Sequence, residues 1–200
     1  MLLRSGYLLL VGLFVLLSGC KKACDSDDAP HYPLAANLRA WSAPYPKDAV
    51  LQFRNAATGY VRRYRVVTAE SQRRDVHTGV DPCPEYTQEY TSHALERTDS
   101  TNGRENQLLK FEVFAATNVT RFKSTMAVGS TSFDLPLEEI EAGTQALAPA
   151  TFAGRTYPAV AGYNASPAVT RPNATVTMYL TKANGLIRFE ERGGTVWDRL

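Results

Sequence analysis

The sequence predicts a mainly β protein, an antiparallel meander that forms a barrel or a sandwich and contains at most one short helix. Three observations carry this prediction. From residue 49 onward, apolar and polar residues alternate in short runs rich in β-branched and aromatic side chains. Turn-forming Asn-Gly and Gly-Gly pairs separate the last of these runs. The roughly 150 residues that follow the N-terminal region suit one domain with a sizeable core.

The first predicted hairpin joins "AVLQFR" (49–54) to "YVRRYRVVTA" (60–69) through the turn "NAATG". In its second strand Tyr64 and Val66 share one face, while Arg63 and Arg65 share the other. Three further runs alternate in the same way and are predicted as strands: "EYTQEYTSHAL" (85–95), "QLLKFEVFAAT" (107–117) and "TRFKSTMAVG" (120–129).

One segment, "PLEEIEAGTQAL" (136–147), fits a short helix, because proline and then acidic residues stand at its start. The stretch 175–200 predicts a three-stranded meander. Its turns fall at Asn184-Gly185 and Gly193-Gly194, where two-residue hairpins need positive φ. Short strands joined by such turns are typical of barrels and sandwiches.

The N-terminus combines Arg4 with an uncharged apolar run over residues 7–17, too short for a stable membrane-spanning helix. The next residues, Leu17-Ser18-Gly19-Cys20, resemble the bacterial lipobox. That resemblance implies cleavage before Cys20 and attachment of lipid to its thiol. The predicted organisation is a lipoprotein signal peptide (1–19), a lipidated flexible spacer (20–46) and a single β-rich domain (47–200). An ordinary secretory signal is the alternative.

The predicted spacer is rich in proline and contains the acidic run "DSDD" (25–28), which is typical of extended, solvated chain. Lys21 follows Cys20, where an aspartate would retain a lipoprotein in the inner membrane of enterobacteria. By that resemblance the expected location is the outer membrane, facing either the periplasm or the cell surface. If Cys20 carries lipid, Cys24 and Cys83 remain as an even pair, either bridged by a disulfide or present as two free thiols.

Charge argues against nucleic acid as a partner. The chain has 22 basic and 20 acidic residues, and loss of Arg4 with the signal peptide would leave 21 basic residues. The basic run "RRYRVVTAESQRRD" (62–75) is interpreted as the solvated side of an edge hairpin, where charges oppose aggregation. The alternative interpretation is that this run binds the phosphates of lipid headgroups, or nucleic acid through stacking and charge.

No motif predicts catalytic residues, a cofactor or a metal site. A nucleophile elbow, a phosphate-binding glycine loop and the usual zinc-ligand spacings are all missing from the sequence. His31 lies in the predicted spacer and His93 in a predicted strand. The segment "DVHTGVDPCPE" collects residues capable of metal binding, but its glycine and prolines explain it as a turn: Asp75, His77, Asp81, Cys83 and Glu85.

Four segments together carry a family resemblance: "LQFRNAATGYVRRYRV", the segment with Cys83, "RTYPAVAGY" and "MYLTKANGLIRFEERGGTVWDRL". In this order they resemble uncharacterised lipoproteins common in Bacteroidetes, which carry a C-terminal "YY-x-K-x-x-GLI-x-F" hairpin ending in tryptophan. Here Met178-Tyr179 stands in place of Tyr-Tyr. The resemblance implies a lipid anchor and a β fold, and it implies no activity.

The expected function is therefore non-covalent binding by a domain held at the membrane through its N-terminal lipid. The ligand would be a small apolar molecule in a cavity, or an envelope protein that pairs with an exposed strand edge. The alternative is a hydrolase whose site assembles only in three dimensions, with His77 or His93 beside a carboxylate in a pocket.

Overall fold

The computed structural model describes residues 29–77, 83–100, 108–115 and 123–200. The predicted signal peptide, Cys20 and Cys24 lie outside these residues. Within them the chain forms strands β1 (His31–Tyr32), β2 (Val50–Asn55), β3 (Val61–Val76), β4 (Tyr86–Arg97), β5 (Leu108–Phe114), β6 (Thr125–Val128), β7 (Thr131–Asp134), β8 (Ala148–Phe152), β9 (Arg155–Asn164), β10 (Thr175–Thr181), β11 (Gly185–Glu191) and β12 (Val196–Arg199).

Eleven of the described strands follow one antiparallel order, β7-β6-β5-β4-β3-β2-β12-β11-β10-β9-β8. Strands β2 to β7 form one meander of sequential neighbours, and strands β8 to β12 form another. The last strand, β12, pairs with β2 and joins the two meanders. The short β1 lies off this path and pairs in parallel with β4. The predicted mainly β, antiparallel fold is confirmed, and the sheet curves into a half-barrel.

Alternation along each strand separates the two faces of the sheet. On β2, Leu51 and Phe53 are buried while Val50 and Arg54 are exposed. Most buried apolar residues of the strands face a concave main core, in which Phe53 packs edge-on against Tyr64 and Phe189. A smaller cluster of Tyr157, Val160 and Ile187 forms a second core.

Two short helices lie among the described residues, one more than predicted. The expected helix at 136–147 is present as α2 (Leu137–Glu141). The other, α1 (Ala36–Arg39), continues into a 3₁₀ turn at Ala40–Ser42 and lies in the predicted spacer. Helix α1 was not predicted, because its proline-rich surroundings suggested extended chain. Pro33 and Pro44 lie just outside the helical segment, where proline is tolerated.

The predicted boundary between spacer and domain at residue 47 is wrong. Leu34, Leu38, Trp41 and Tyr45 are each at most 4% exposed and belong to the main core. Their spacing of three or four residues brings them onto one side of the α1 segment, which fills the concave side of the sheet. The core therefore includes residues 34–45, which were predicted from their composition to belong to the spacer.

Hydrogen bonds fix this segment against both halves of the sheet. Trp41 Nε1 donates to Glu141 Oε1 at 2.7 Å, and Lys182 Nζ also donates to that carboxylate. The backbone N–H of Leu186 donates to the Tyr45 hydroxyl at 2.7 Å. His93 Nδ1 donates to the Tyr45 carbonyl at 2.9 Å. The Trp41 N–H, the Tyr45 hydroxyl and His93 Nδ1 thereby each have a partner, whereas the buried His93 Nε2 has none among the described residues.

The predicted hairpins are confirmed. Asn55 Oδ1 accepts from the backbone N–H groups of Ala57 and Thr58, which closes the β2–β3 turn. In the turns into β11 and β12, Gly185 and Gly194 have φ of 66° and 83°, whereas Asn184 and Gly193 do not have positive φ, so these are not the two-residue turns predicted. No helix among the described residues is long and apolar enough to cross a membrane.

A charged cluster fastens the end of β4 to β3. Asp99 accepts hydrogen bonds from Arg97 Nη2 at 2.7 Å, the Tyr60 hydroxyl at 2.6 Å and the backbone N–H of Arg63 at 2.7 Å. The Arg97 and Asp99 side chains are only 9% and 5% exposed. Burial raises the pKa of Asp99, but the hydrogen bonds from Arg97, Tyr60 and Arg63 exceed that effect and hold the pKa well below its ordinary 3.8.

This pKa predicts an acid-sensitive contribution to stability. Because the folded-state pKa lies below the unfolded one, the contribution is complete above about pH 4 and is lost as pH falls through the folded-state value. We expect Asp99→Asn to lower the free energy of unfolding at pH 7 by roughly 1.5–3 kcal/mol. Between pH 7 and pH 3, the free energy of unfolding of Asp99→Asn, measured with urea, should fall by less than that of the parent. An equal loss in both proteins would contradict the prediction.

Candidate functional site: an arginine cleft

A cleft of about 450 Å³ lies between the tip of the β8–β9 hairpin and strands β2 and β12. Three arginines and one aspartate supply its charges, and the remaining lining is small or apolar. The lining residues are Arg54, Ala56, Phe152, Ala153, Arg155, Asp198, Arg199 and Leu200.

Strand register positions the floor of the cleft. Tyr179 of β10 pairs with Arg188 of β11, Arg188 pairs with Asp198 of β12, and Asp198 pairs with Arg54 of β2. Residues directly opposite one another across antiparallel strands share a face. This row therefore crosses four strands on the face away from the concave core, since its neighbour Trp197 belongs to that core.

The β8–β9 hairpin forms the wall. Ala153 and Gly154 occupy its turn at φ 49° and 77°, the pair of positive angles that a tight hairpin turn requires. Phe152 packs on Tyr179 with ring centroids 4.8 Å apart, and the Arg188 guanidinium lies 4.7 Å from the Phe152 ring centre. The hairpin tip is thereby held over the floor, with Arg155 exposed at the rim.

Asp198 is the buried acceptor of the site. It is 6% exposed, and its Oδ1 lies 3.2 Å from Arg188 Nε. Within the described part of the chain, that oxygen has no partner with hydrogen-bond geometry. Burial raises the pKa of Asp198, and the charge of Arg188 opposes that rise. A buried carboxylate oxygen left without a well-aligned donor is costly, and the ion pair with Arg188 offsets part of that cost.

Arg199 is the most enclosed of the three lining arginines. Burial lowers its pKa, and the nearby Tyr45 and Tyr157 oppose that effect. Its Nη1 donates to the Leu186 carbonyl at 3.5 Å, a long and therefore weak hydrogen bond. Arg199 pairs with Phe53 of the main core, so its side chain leaves β12 on the face opposite to that of Asp198. Because arginine stays charged even when its pKa falls somewhat, the cleft is lined by three basic residues and one acidic side chain. This arrangement favours an anion.

Among the described residues, those singled out in the sequence do not assemble into one site. His77 is exposed just beyond the end of β3, whereas His93 is 7% exposed and lies opposite Ala69 in the middle of β4. Burial lowers the pKa of His93, which favours the neutral ring, and the hydrogen bond to Tyr45 partly offsets this. Glu85 is exposed, and Asp81 lies outside the described residues.

Cys83 is disulfide-bonded, and its partner is not among the described residues. The predicted Cys24–Cys83 pairing and the lipidation of Cys20 consequently stay predictions. In the ranges that the structure describes, no three histidine, cysteine or acidic side chains are grouped as a metal would require.

Sequence reasoning missed Arg54, Arg155, Asp198 and Arg199 as a group. Taken singly, each of these residues is interpreted as an ordinary polar residue of an alternating strand or of a turn. The pairing of β12 with β2 and the β8–β9 hairpin bring these four residues together. No local sequence pattern predicts that β12 pairs with β2 or that the hairpin lies beside them.

On the concave side, aromatic side chains of the described residues pack closely against one another. Tyr45 lies 5.1 Å from Phe111 between ring centres, and both are about 1% exposed. A comparison with protein-family models, with curated proteins and with solved structures finds no match to this chain. The functional argument accordingly depends on the chemistry of the cleft.

Proposed function

We propose that this is a lipid-anchored envelope protein whose domain binds, without converting it, a small anionic molecule in the arginine cleft. The observation that carries the proposal is the lining of the cleft, in which three arginines stand against one acidic residue, Asp198. The N-terminal sequence, which resembles a lipobox, supports the anchor and the outer-membrane location.

The ligand class that best fits these groups is a phosphate ester with a free hydroxyl. Guanidinium groups bind phosphate oxygens through paired, charge-assisted hydrogen bonds. Asp198 accepts only, so it selects a ligand that also donates. Phe152 and Leu200 provide a limited apolar contact for a short carbon chain.

The residue types that line the cleft favour ligand binding over hydrolysis. Among the eight lining residues there is no serine, threonine, cysteine, histidine or lysine, so a nucleophile paired with a base is not available in the cleft. Asp198 is engaged by Arg188 rather than by a second titratable partner.

Titration calorimetry tests the ligand class on the full chain carrying Cys20→Ser, which cannot take the lipid. We expect glycerol phosphate to bind and glycerol not to bind. Arg54→Gln and Arg155→Gln should each weaken binding about tenfold or more, because each removes a charge-assisted hydrogen bond. Arg65→Gln, an exposed arginine on β3 outside the cleft lining, is the matched control and should leave affinity unchanged.

Asp198→Asn separates specific recognition from simple charge attraction. It keeps the shape of the side chain, and we expect it to reduce the preference for glycerol phosphate over inorganic phosphate. Co-flotation with vesicles of phosphatidylglycerol or phosphatidylcholine distinguishes a lipid headgroup from a free ester. Equal binding by the parent, Arg54→Gln and Arg155→Gln would refute the cleft as the site.

The anchor has its own test. Mass spectrometry of the protein from bacterial membranes should show a lipid-modified N-terminal Cys20, and Cys20→Ser should release the protein from the membrane fraction. An unmodified Cys20 within a secreted chain would contradict the predicted lipidation and leave the cleft proposal unaffected.

A further inference from the structure

Strand β3 extends well beyond its neighbour β2. The two pair only from Val61 to Arg65, whereas β3 continues to Val76 and pairs with β4 along that whole length. Past Arg65, no strand of the described chain pairs with the outer edge of β3. Residues 70–75 of this edge are exposed. An open edge of this length is a template for an additional strand.

Hydrogen bonds elsewhere in the sheet show which backbone groups point outward. The N–H of Thr87 donates to the Pro30 carbonyl, and the Glu89 carbonyl accepts from Ala115, so both residues of β4 face away from β3. Their neighbours Gln88 and Tyr90 consequently face β3, opposite Arg74 and Gln72.

By the same alternation, the backbone N–H and C=O groups of four β3 residues are directed toward the open edge: Ala69, Ser71, Arg73 and Asp75. A register shift between Val66 and Thr68 sets this alternation, since it inserts one extra residue into β3. Lys47 Nζ donates to the Val67 carbonyl, so an added strand would begin its pairing at Ala69.

We propose that a second copy of this chain occupies this edge, with the two β3 strands antiparallel about a two-fold axis at Gln72. In this register Ala69 faces Asp75 of the second copy and Ser71 faces Arg73. These four facing pairs would form about eight backbone hydrogen bonds, two for each pair. The sheets of the two copies would become continuous across an isologous interface.

Charge selects this register. With the axis at Gln72, Glu70 of each copy lies directly opposite Arg74 of the other, which gives two cross-strand pairs of opposite charge. Outward-facing residues must meet outward-facing residues, so the axis can otherwise move to Ser71 or Arg73. An axis at Ser71 places Glu70 opposite Gln72, and an axis at Arg73 places that arginine against itself. Of these three registers, only the one with its axis at Gln72 places opposite charges directly across from each other.

The participating side chains are already ordered as a row on one face. Gln72 Nε2 donates to Glu70, the Tyr90 hydroxyl donates to Gln72, and the Arg74 guanidinium lies 5.9 Å from the Tyr90 ring centre. Ordering of these side chains before association lowers the entropy lost on pairing. The proposal is independent of the arginine cleft, which lies on other strands.

An interface made chiefly of strand edges is small, so we expect dissociation constants of about 1–100 μM for the lipid-free protein. Sedimentation velocity over that range, on the full chain with Cys20→Ser, should show conversion of monomer to dimer. Glu70→Arg or Arg74→Glu should each abolish it, because each places like charges opposite one another. Arg65→Glu, an exposed charge change where β3 pairs with β2, is the control and should dimerise as the parent does.

Mixing gives the decisive result. Glu70→Arg protein and Arg74→Glu protein carry opposite charges at the facing positions, so an equimolar mixture should form dimers although neither variant does alone. The double variant with both substitutions should also dimerise. A mixture that stays monomeric, or single variants that dimerise like the parent, would overturn the proposal.

Cross-linking tests the register. Across a non-hydrogen-bonded pair the Cα atoms lie about 4.5 Å apart, which permits a disulfide. Gln72→Cys should therefore cross-link two copies on mild oxidation, whereas Ser71→Cys should not. Efficient cross-linking through Ser71→Cys, or a parent protein that stays monomeric at 100 μM or so, would exclude the proposed pairing.

Discussion

Replacing Trp41 by alanine is expected to lower the free energy of unfolding by about 3–5 kcal/mol. The Trp41 side chain is 1% exposed and lies in the main core, in a segment whose composition is typical of a spacer. The substitution leaves a cavity under the sheet and removes the donor to Glu141. Since domains of this size have a total stability of about 5–15 kcal/mol, a large part of it would be lost.

Chemical unfolding monitored by far-ultraviolet circular dichroism measures this effect. Val50→Ala is the matched control, because Val50 is 50% exposed and its truncation should change stability by less than about 0.5 kcal/mol. Trp41→Phe should fall between the two, since it fills most of the cavity and still removes the hydrogen bond. If Trp41→Ala unfolded like Val50→Ala, residues 34–45 would not belong to the core.

Gly185→Ala is the second change for which we expect a large effect. Gly185 has φ 66°, and a Cβ built there would lie 2.4 Å from the Tyr45 hydroxyl and 2.6 Å from the adjoining ring carbon. Tyr45 cannot retreat easily, because it is 1% exposed and its hydroxyl accepts from Leu186 N–H. Strain from positive φ and overpacking should together lower the free energy of unfolding by about 2–4 kcal/mol.

Gly194→Ala isolates the backbone contribution. Gly194 has φ 83° in the next hairpin turn, and a Cβ there would meet nothing within 4 Å. We therefore expect it to lower the free energy of unfolding by only about 1 kcal/mol. Tyr45→Ala combined with Gly185→Ala should remove the steric part of the Gly185 effect. If Gly185→Ala and Gly194→Ala cost the same, the contact between Gly185 and Tyr45 would not be close in solution.

Local sequence predicts the strands of this protein well. The runs at 49–54 and 60–69 become β2 and the first part of β3, and the Asn184-Gly185 turn joins β10 to β11 as expected. These elements are encoded by period-two alternation and by turn residues that favour positive φ, and both signals lie within a few residues of each other. The helix at 136–147 was located correctly but ends sooner, at Glu141.

The α1 segment shows where composition fails. Its prolines and small residues suggest solvated chain, yet Leu34, Leu38, Trp41 and Tyr45 recur at helical spacing and reach the core. A segment of this kind is ordered by the surface that it covers, since four helical residues are too few to be stable alone. The concave sheet that accepts it is assembled from residues far away in sequence.

The candidate site was outside the reach of sequence reasoning for the same reason. The sequence analysis considered His77 and His93 as hydrolase residues beside a carboxylate, but His77 is exposed and His93 is a buried, hydrogen-bonded core residue. Arg54 and Asp198 become neighbours only because the last strand pairs with the first long one. Their separation along the chain carries no information about that pairing.

The sequence by itself determined the period-two strands, the turns between them and the resulting mainly β, antiparallel class, since backbone preferences and amphipathic alternation act over a few residues. It also predicts the lipid anchor. Tertiary structure alone decided the half-barrel order, the inclusion of residues 34–45 in the core, the arginine cleft and the edge of β3 that no described strand pairs with. Each of these depends on which distant strands pair and in what register, and that choice is made by burial of the whole chain rather than by any one segment.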